Sequence, residues 1–390
     1  MDLLTKTRCA SHTAHTKTDT VSQALRVTET NPQTDPQWEC FVEEHPNGSI
    51  YHHPAWLQAL EREHGQKGIY LKSVDSNGRV LAILPMHYTR GLPFNLGGEL
   101  TGRRLSSLPR TPVAGPLSID PQATVALLQE AVRRASQEPE TRLQIKTQGP
   151  ELDGLVEGVV CQPWRLSYVL KLTPSPEGSF RVADSNHRYS IKKAVNKAQR
   201  LGLYVRPAET EADLREWYIL HLGTMRRNAV PARPYRFFAN LWENLRPQGL
   251  MELLLAEHQK DGRKRILAGT IFLRLGRTVS CAFNGSRFAD ISLRPNDIMY
   301  WEAINDAYRR GFEFFDFGEV AEGNSDLARY KTKWGATPVR LYRYYYPDLP
   351  APKSAKVDSH YSVGSISQKI WKYVPLKLKE WMGDQVYRRL

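Results

Sequence analysis

Cysteine is scarce in this chain: Cys9, Cys40, Cys161 and Cys281 lie far apart, and no CxxC or Cys/His ligand spacing occurs. That sparseness argues against a disulfide framework and against a zinc site, and it suits a reducing cytoplasm. The pair His52-His53 is adjacent, whereas two ligands on one helix face sit about four residues apart, so it fits a turn and no metal is expected. No charge-free apolar run approaches the ~18 residues that a membrane span needs. The N-terminus has no continuous apolar stretch of the secretory kind. Acidic residues are outnumbered, 41 Asp and Glu against 54 Lys and Arg, for a net charge of +13. Such an excess points to anionic partners (phosphates, RNA or an acidic membrane face) without choosing among them.

The 390 residues are 41% apolar, enough for proper cores, and at roughly 150 residues per domain they should form about two domains. Residues 1–36 are polar, Thr-rich and without apolar periodicity, and are expected to be disordered. A first unit is expected over 37–171. There Tyr51-His52-His53-Pro54-Ala55-Trp56 opens a helix that Gly65 stops. Ile69–Val74 and Val80–Tyr88 read as a hairpin across Asp75-Ser76-Asn77-Gly78. Residues 91–121 are crowded with Pro and Gly and read as an ordered loop, and Val125–Arg134 as a helix.

A second unit is expected over 172–347, entered through a strand and linker at Tyr168–Gly178. Asn186–Arg200 reads as a basic helix with Ile191, Val195 and Ala198 on one face and Arg188, Lys192, Lys193, Lys197 and Arg200 on the other. That charged face suits tRNA, phosphate or membrane, or is simply solvated. Ala212–Arg226 reads as a helix, and Glu252–His258, Ile266–Leu275 and Thr278–Ser286 as strands. Asn296 then caps a helix that reaches Arg310, with Pro295 before it and Gly311 after it. Next comes an apolar strand, Glu313–Phe317, carrying Asp316, then Tyr330-Lys331, Trp334-Gly335 and a strand at Val339–Tyr346. An Asp within an aromatic strand, and a Lys shortly after it, need partners if they are buried, which marks a site and suggests a transferase. Three strands, helix, strand, short helix, strand is the order of a GNAT acyltransferase core. The expected fold class is therefore mixed α/β, with two tandem GNAT-like (acyl-CoA N-acyltransferase) domains.

Several stretches carry a resemblance: NHRYSIKKAVNKA, TMRRNAVPARPYRFF, Phe283–Ser286 (FNGS), FFDFG followed by RYKTKWG, and YHHPAWLQAL in the first half. The chain resembles the FemAB/FemX family of GNAT-like transferases, including acyltransferases with a BioF2-like domain. LSSLPRTPVAGPLSID is similar to a subgroup found with exopolysaccharide and exosortase loci. The resemblance implies transfer of an acyl or aminoacyl group to an amine. It sets Tyr330-Lys331 beside the reacting carbonyl, where the Lys331 ammonium would stabilise an oxyanion, worth ~3–4 kcal/mol when well placed. It also sets Arg233 on the acceptor's pyrophosphate. A family Lys falls near Leu60, and two acceptor-site Tyr positions fall on Phe237 and Phe283, departures that point away from a nucleotide-linked muropeptide acceptor.

Amide formation needs a proton acceptor for the amine, and Asp316 or Glu319 is placed to serve. The alternative is that Asp316 caps the next turn or pairs with an Arg. Arg287 and Arg294 flank the loop before the Asn296 helix, where GNAT enzymes seat the CoA pyrophosphate. The usual Arg/Gln-x-x-Gly-x-Gly/Ala signature of that loop is absent. No tightly bound cofactor is expected; the donor is acetyl-CoA or another acyl-CoA, or else aminoacyl-tRNA. The acceptor is a small-molecule or lipid-linked amine of a cell-envelope or exopolysaccharide precursor. A reading of a different class is a non-catalytic protein that binds RNA or anionic lipid. Residues 348–390 form a basic tail in which Ile370, Trp371, Val374, Leu378 and Trp381 lie among lysines. It suits peripheral contact with the inner face of a membrane, or a docked helix broken at Pro375.

Overall fold

The computed structural model describes residues 25–91, 102–173, 185–228, 230–260 and 262–347. The first half of the chain runs β1 (Arg26–Glu29), α1 (Pro36–Glu44), α2 (Pro54–His64), β2 (Ile69–Val74), β3 (Val80–Thr89), β4 (Arg104–Ser106), β5 (Leu117–Ser118), α3 (Pro121–Gln137), β6 (Arg142–Thr147) and β7 (Val160–Lys171). The second half runs α4 (Ser185–Arg200), β8 (Leu203–Pro207), α5 (Glu211–Arg227), α6 (Tyr235–Asn244), β9 (Met251–Lys260), β10 (Arg263–Leu275), β11 (Thr278–Ser286), α7 (Pro295–Arg309), β12 (Phe314–Val320), α8 (Ser325–Lys333) and β13 (Thr337–Tyr346).

Local chemistry sets the helix boundaries. Asp35 and Asp120 accept backbone N–H groups at the starts of α1 and α3, each followed by a Pro in the first turn. Thr210 and Asp213 form a reciprocal capping box on α5. The His pair behaves as a turn: His53 accepts from Ala55 N to cap α2, while His52 bonds Ser49 Oγ at 2.8 Å and Gly115 O at 3.0 Å. Gly65 ends α2 at φ 71, the left-handed conformation that glycine adopts without strain.

The strands form one 13-stranded sheet in the order β1-β2-β3-β4-β6-β13-β7-β12-β11-β10-β9-β8, with β5 on β3. The β4–β6 and β11–β12 pairs are parallel and all others antiparallel. The expected boundary at Lys171 does not divide this sheet. β13, from the end of the chain, lies between β6 and β7, and β7 pairs with both β13 and β12. Each half thus lends a strand to the junction, a non-local pairing that local sequence patterns do not report. Disorder expected through residue 36 is also corrected, because β1 pairs with β2 from Arg26 onward. Cys161 and Cys281 are free thiols. The C-terminal tail lies outside the described residues.

Apolar clusters cover the sheet. One gathers α1, α2, α5 and α6 over β9 and β10, with Trp56, Trp217, Phe237 and Phe238 at its centre. A second joins α4, α7 and Trp334 to Leu170, Phe315 and Phe317. The third places α3 on Leu105, Leu143, Ile145 and Tyr344. Lys146 and Arg343, directly opposite one another on β6 and β13, alternate with Ile145 and Tyr344 and so point to the other side of the sheet.

Candidate active site

β11 and β12 pair only at Thr278↔Phe314, Val279↔Phe315 and Ser280↔Asp316. From Cys281 onward β11 stays with β10 as far as Ser286, while β12 shifts register against β7 between Asp316 and Glu319. The two parallel strands therefore part at Asp316. Gly318, at φ 78, supplies the left-handed residue in that shift.

Asp316 is held firmly on one side. Its Oδ1 accepts from Ser167 Oγ and from the Gly318 backbone N–H, each at 2.8 Å. Its Oδ2 makes no hydrogen bond within the described residues. Burial pushes its carboxyl pKa up, against the lowering effects of the Gly318 N–H, the Ser167 hydroxyl and the Lys331 ammonium. Glu319, on the same strand, is pushed up by burial and opposed by Arg343, Arg165 and Lys146.

Lys331, on α8, is buried, and its Nζ donates to Gly318 O at 2.7 Å and Glu319 O at 3.0 Å. It fastens β12 just past the point of separation, leaving one of its three N–H groups for another acceptor. Burial lowers its pKa to about 8, with Cys281, Asp316 and Glu319 acting in the opposite direction. The neighbouring Tyr330 turns its ring toward Tyr300 and Trp334, at centroid distances of 6.1 and 6.4 Å. Burial raises its phenol well above the usual range, so it stays protonated. Tyr51, on the short 3-10 turn Ile50–His52, reaches this site from the first half of the chain. Burial raises its hydroxyl pKa, and Asp316 and Glu319 add to the effect.

Other expected site residues lie elsewhere or are already committed. Arg233 donates to Glu63 Oε2 at 2.8 Å and to Arg110 O at 3.1 Å, and lies 4.2 Å from the Phe237 ring centroid. Both partners of that ion pair are buried and Phe237 is fully buried, so Arg233 and Phe237 form a joint between α2 and α6 with no surface to offer an acceptor. Phe283 is partly buried against the same aromatic cluster, 5.9 Å from Phe237, and Leu60 is core. Asn296 does not cap α7. Arg294 holds the cap position at φ 67, and Asn296 sits inside the first turn. Beside it the buried Asp297 pairs with Lys333, placing an acid at the helix start. Arg287 spends its Nε on Ile266 O and its backbone N–H on Leu267 O, while Arg294 is exposed. The basic helix α4 buries Ile191, Val195 and Ala198 and leaves Lys192, Lys193, Lys197 and Arg200 in solvent.

Sequence reasoning missed Ser167, Tyr51 and three cations: Lys146, Arg165 and Arg343. The available signal was alternation. QIKT on β6 and RYY on β13 each set one cation beside an apolar or aromatic residue, Ile145 or Tyr344, that alternation turns to the opposite face.

Comparison with known proteins agrees with this geometry. Residues 185–332 match the family model described as Acetyltransferase (GNAT) domain. Among solved structures the chain is similar to FemX, with 15% identity and a TM-score of 0.64 over 83% of this chain and 98% of that one. It is also similar to L-PGS from Bacillus licheniformis, with 14% identity and a TM-score of 0.53 over 83% of this chain and 94% of that one. A further likeness is to the C-terminal domain of a putative lysylphosphatidylglycerol synthetase from Agrobacterium fabrum, at 13% identity and a TM-score of 0.53, covering 82% and 93% of the two chains. No curated protein matches the sequence. The parted parallel strands lie within the stretch that matches the acetyltransferase (GNAT) domain, and they fit an acyltransferase fold of that kind. By fold the chain is similar to FemX. No helix among the described residues is long and apolar enough to cross a membrane.

Proposed function

We propose that this protein is an N-acyltransferase that moves an acyl group from acetyl-CoA or a similar thioester to an amino group of a cell-envelope or exopolysaccharide precursor, small or lipid-linked. The carrying observation is Asp316, placed where β11 and β12 part, with Oδ1 clamped by Ser167 and Gly318 and Oδ2 unengaged among the described residues. In this reading the donor's acyl group enters the gap at Cys281. Asp316 Oδ2 takes a proton from the attacking amine, whose nitrogen forms the new C–N bond as the C–S bond breaks. The remaining N–H of Lys331 steadies the carbonyl oxygen as charge develops on it. The departing thiolate takes up the proton that Asp316 received, which returns the carboxylate to its charged form.

Calorimetric titration with acetyl-CoA at moderate salt tests the donor. Saturable micromolar binding supports the reading. A folded sample that binds none refutes an acyl-CoA donor and redirects the search to charged tRNA. The Asp297–Lys333 pair at the start of α7, and the missing glycine signature, would then be the structural reason.

A further inference from the structure

Where β11 ends, the chain turns apolar side chains outward. The 3-10 turn Phe288–Leu293, between β11 and α7, buries none of its residues. Phe288 is 65% exposed and Ile291 48%. Three residues complete a turn of a 3-10 helix, so these two side chains stand one above the other on a single side of it. Among the described residues no other helix or strand carries two exposed large apolar side chains. The turn is firmly held: the Arg287 backbone N–H donates to Leu267 O at 2.8 Å, and Arg265 pairs with Asp290 at 2.9 Å. Arg227, at the end of α5, donates to Ser286 O at 3.2 Å and lies over the Phe288 ring, 5.4 Å from its centroid. Cations gather at this end of the sheet. Lys260 and Arg263 face each other where β9 meets β10, followed by Lys264 and Arg265. Arg265 stands opposite His258, whose ring bonds Leu201 O at 2.9 Å and so brings the end of α4, with Arg200, to the same place. Arg200, Lys260, Arg263, Lys264 and Arg294 are all exposed.

Single exposed apolar residues need no explanation, but a pair held side by side within a polar rim marks a contact surface. We infer that the turn Phe288–Leu293 and the cations around it dock on an anionic membrane. Phe288 and Ile291 enter the hydrocarbon boundary, while Arg263, Lys264 and Arg294 meet acidic headgroups. The chemistry favours lipid over the other candidate partners. Nucleic acid would stack its bases on an aromatic face, but Arg227 already lies over Phe288, and Ile291 has no π face. A second copy docked through the same patch would bring like charges together. Hydrocarbon accepts both side chains, and acidic headgroups answer the cations. From Cys281 to Ser286 β11 spans roughly 17 Å at ~3.3 Å per residue, so docking holds the strand gap close to the lipid surface.

The inference is independent of donor, acceptor and turnover. The full chain is mixed with vesicles of phosphatidylcholine alone, or of equal parts phosphatidylcholine and phosphatidylglycerol, and the bound fraction is read by co-sedimentation. Wild type should bind the anionic vesicles, and the neutral ones more weakly. Phe288→Ser/Ile291→Ser should weaken partitioning about tenfold or more. Arg263→Gln/Lys264→Gln should weaken it several-fold on the anionic vesicles only. Tyr189→Ser, which removes an exposed aromatic from α4, should change nothing. Thermal unfolding checks each variant's fold, and Ile291→Ser alone carries the test, with a several-fold loss, if the double variant does not fold. Failure of wild type to bind anionic vesicles overturns the inference. So does equal binding by Phe288→Ser/Ile291→Ser, which would place the contact elsewhere, as on the basic tail. Binding to poly(U) in place of vesicles, lost in the same variant, would make this an RNA surface and overturn the lipid assignment as well.

Discussion

Replacing Asp316 by Asn separates catalysis from stability. The substitution keeps the side chain's shape, and the Asn carbonyl oxygen can still accept from Ser167 and Gly318 as Oδ1 does at 2.8 Å. What it removes is a group able to take a proton at Oδ2, together with a buried negative charge. Positioned general bases contribute about a hundred- to ten-thousandfold in rate, or ~3–5 kcal/mol of barrier, so kcat/KM should fall by that factor. Stability should move the other way. A carboxyl whose native pKa is raised binds protons more readily folded than unfolded, so its contribution is least favourable once pH exceeds both values. Removing the charge should therefore leave Tm at neutral pH level or higher, while acetyl-CoA binding persists. Thiol release in the presence of amino-sugar acceptors, measured beside thermal unfolding, reads both effects. Wild-type turnover by Asp316→Asn would refute the assignment of the base, and a large loss of Tm would show that the carboxylate is structural.

Lys331→Met tests the buried ammonium. With its native pKa lowered to about 8, the unfolded chain holds more protons above that pH, so wild-type stability should rise relative to the variant from about pH 8 toward the ordinary lysine value of 10.5, as read by denaturant unfolding. Glu63→Ala leaves Arg233 buried without its carboxylate and should cost ~3–5 kcal/mol in the same assay; a neutral result would mean that Arg233 is not a structural joint. Gly285→Ala should destabilise by ~1–3 kcal/mol, because its Cβ would come within 2.6 Å of His221 N on α5; unchanged Tm would show that the helix yields freely.

Much of the second half is legible from local chemistry. The strand expected over Thr278–Ser286 is β11 to the residue, and the hairpin strand Ile69–Val74 is β2. In both, turn residues bound an apolar run, and pairing is with a near neighbour. Asp316 and Lys331 stand out because neither suits its surroundings without a partner, and the structure brings them within electrostatic reach of one another. The junction is not legible in that way. β4 and β6 pair in parallel with one another, and the place of β13 depends on pairing with β6 across 201 positions at Gln144 and Tyr345, whose side chains meet at 3.4 Å. Residues that gain meaning only there, Lys146 and Arg343 above all, therefore pass unnoticed. Arg233 misleads for the opposite reason: its motif suits a phosphate contact, yet Glu63, 170 positions earlier in the chain, supplies its counter-charge.

The central claim is that acyl transfer occurs where β11 and β12 part. A crystal structure of the acetyl-CoA complex tests it most directly. The account predicts the thioester in the gap beside Cys281, its carbonyl oxygen near Lys331 Nζ and Asp316 Oδ2 facing the side from which an amine attacks. A donor bound elsewhere, or strands still closed around an empty gap, would contradict it.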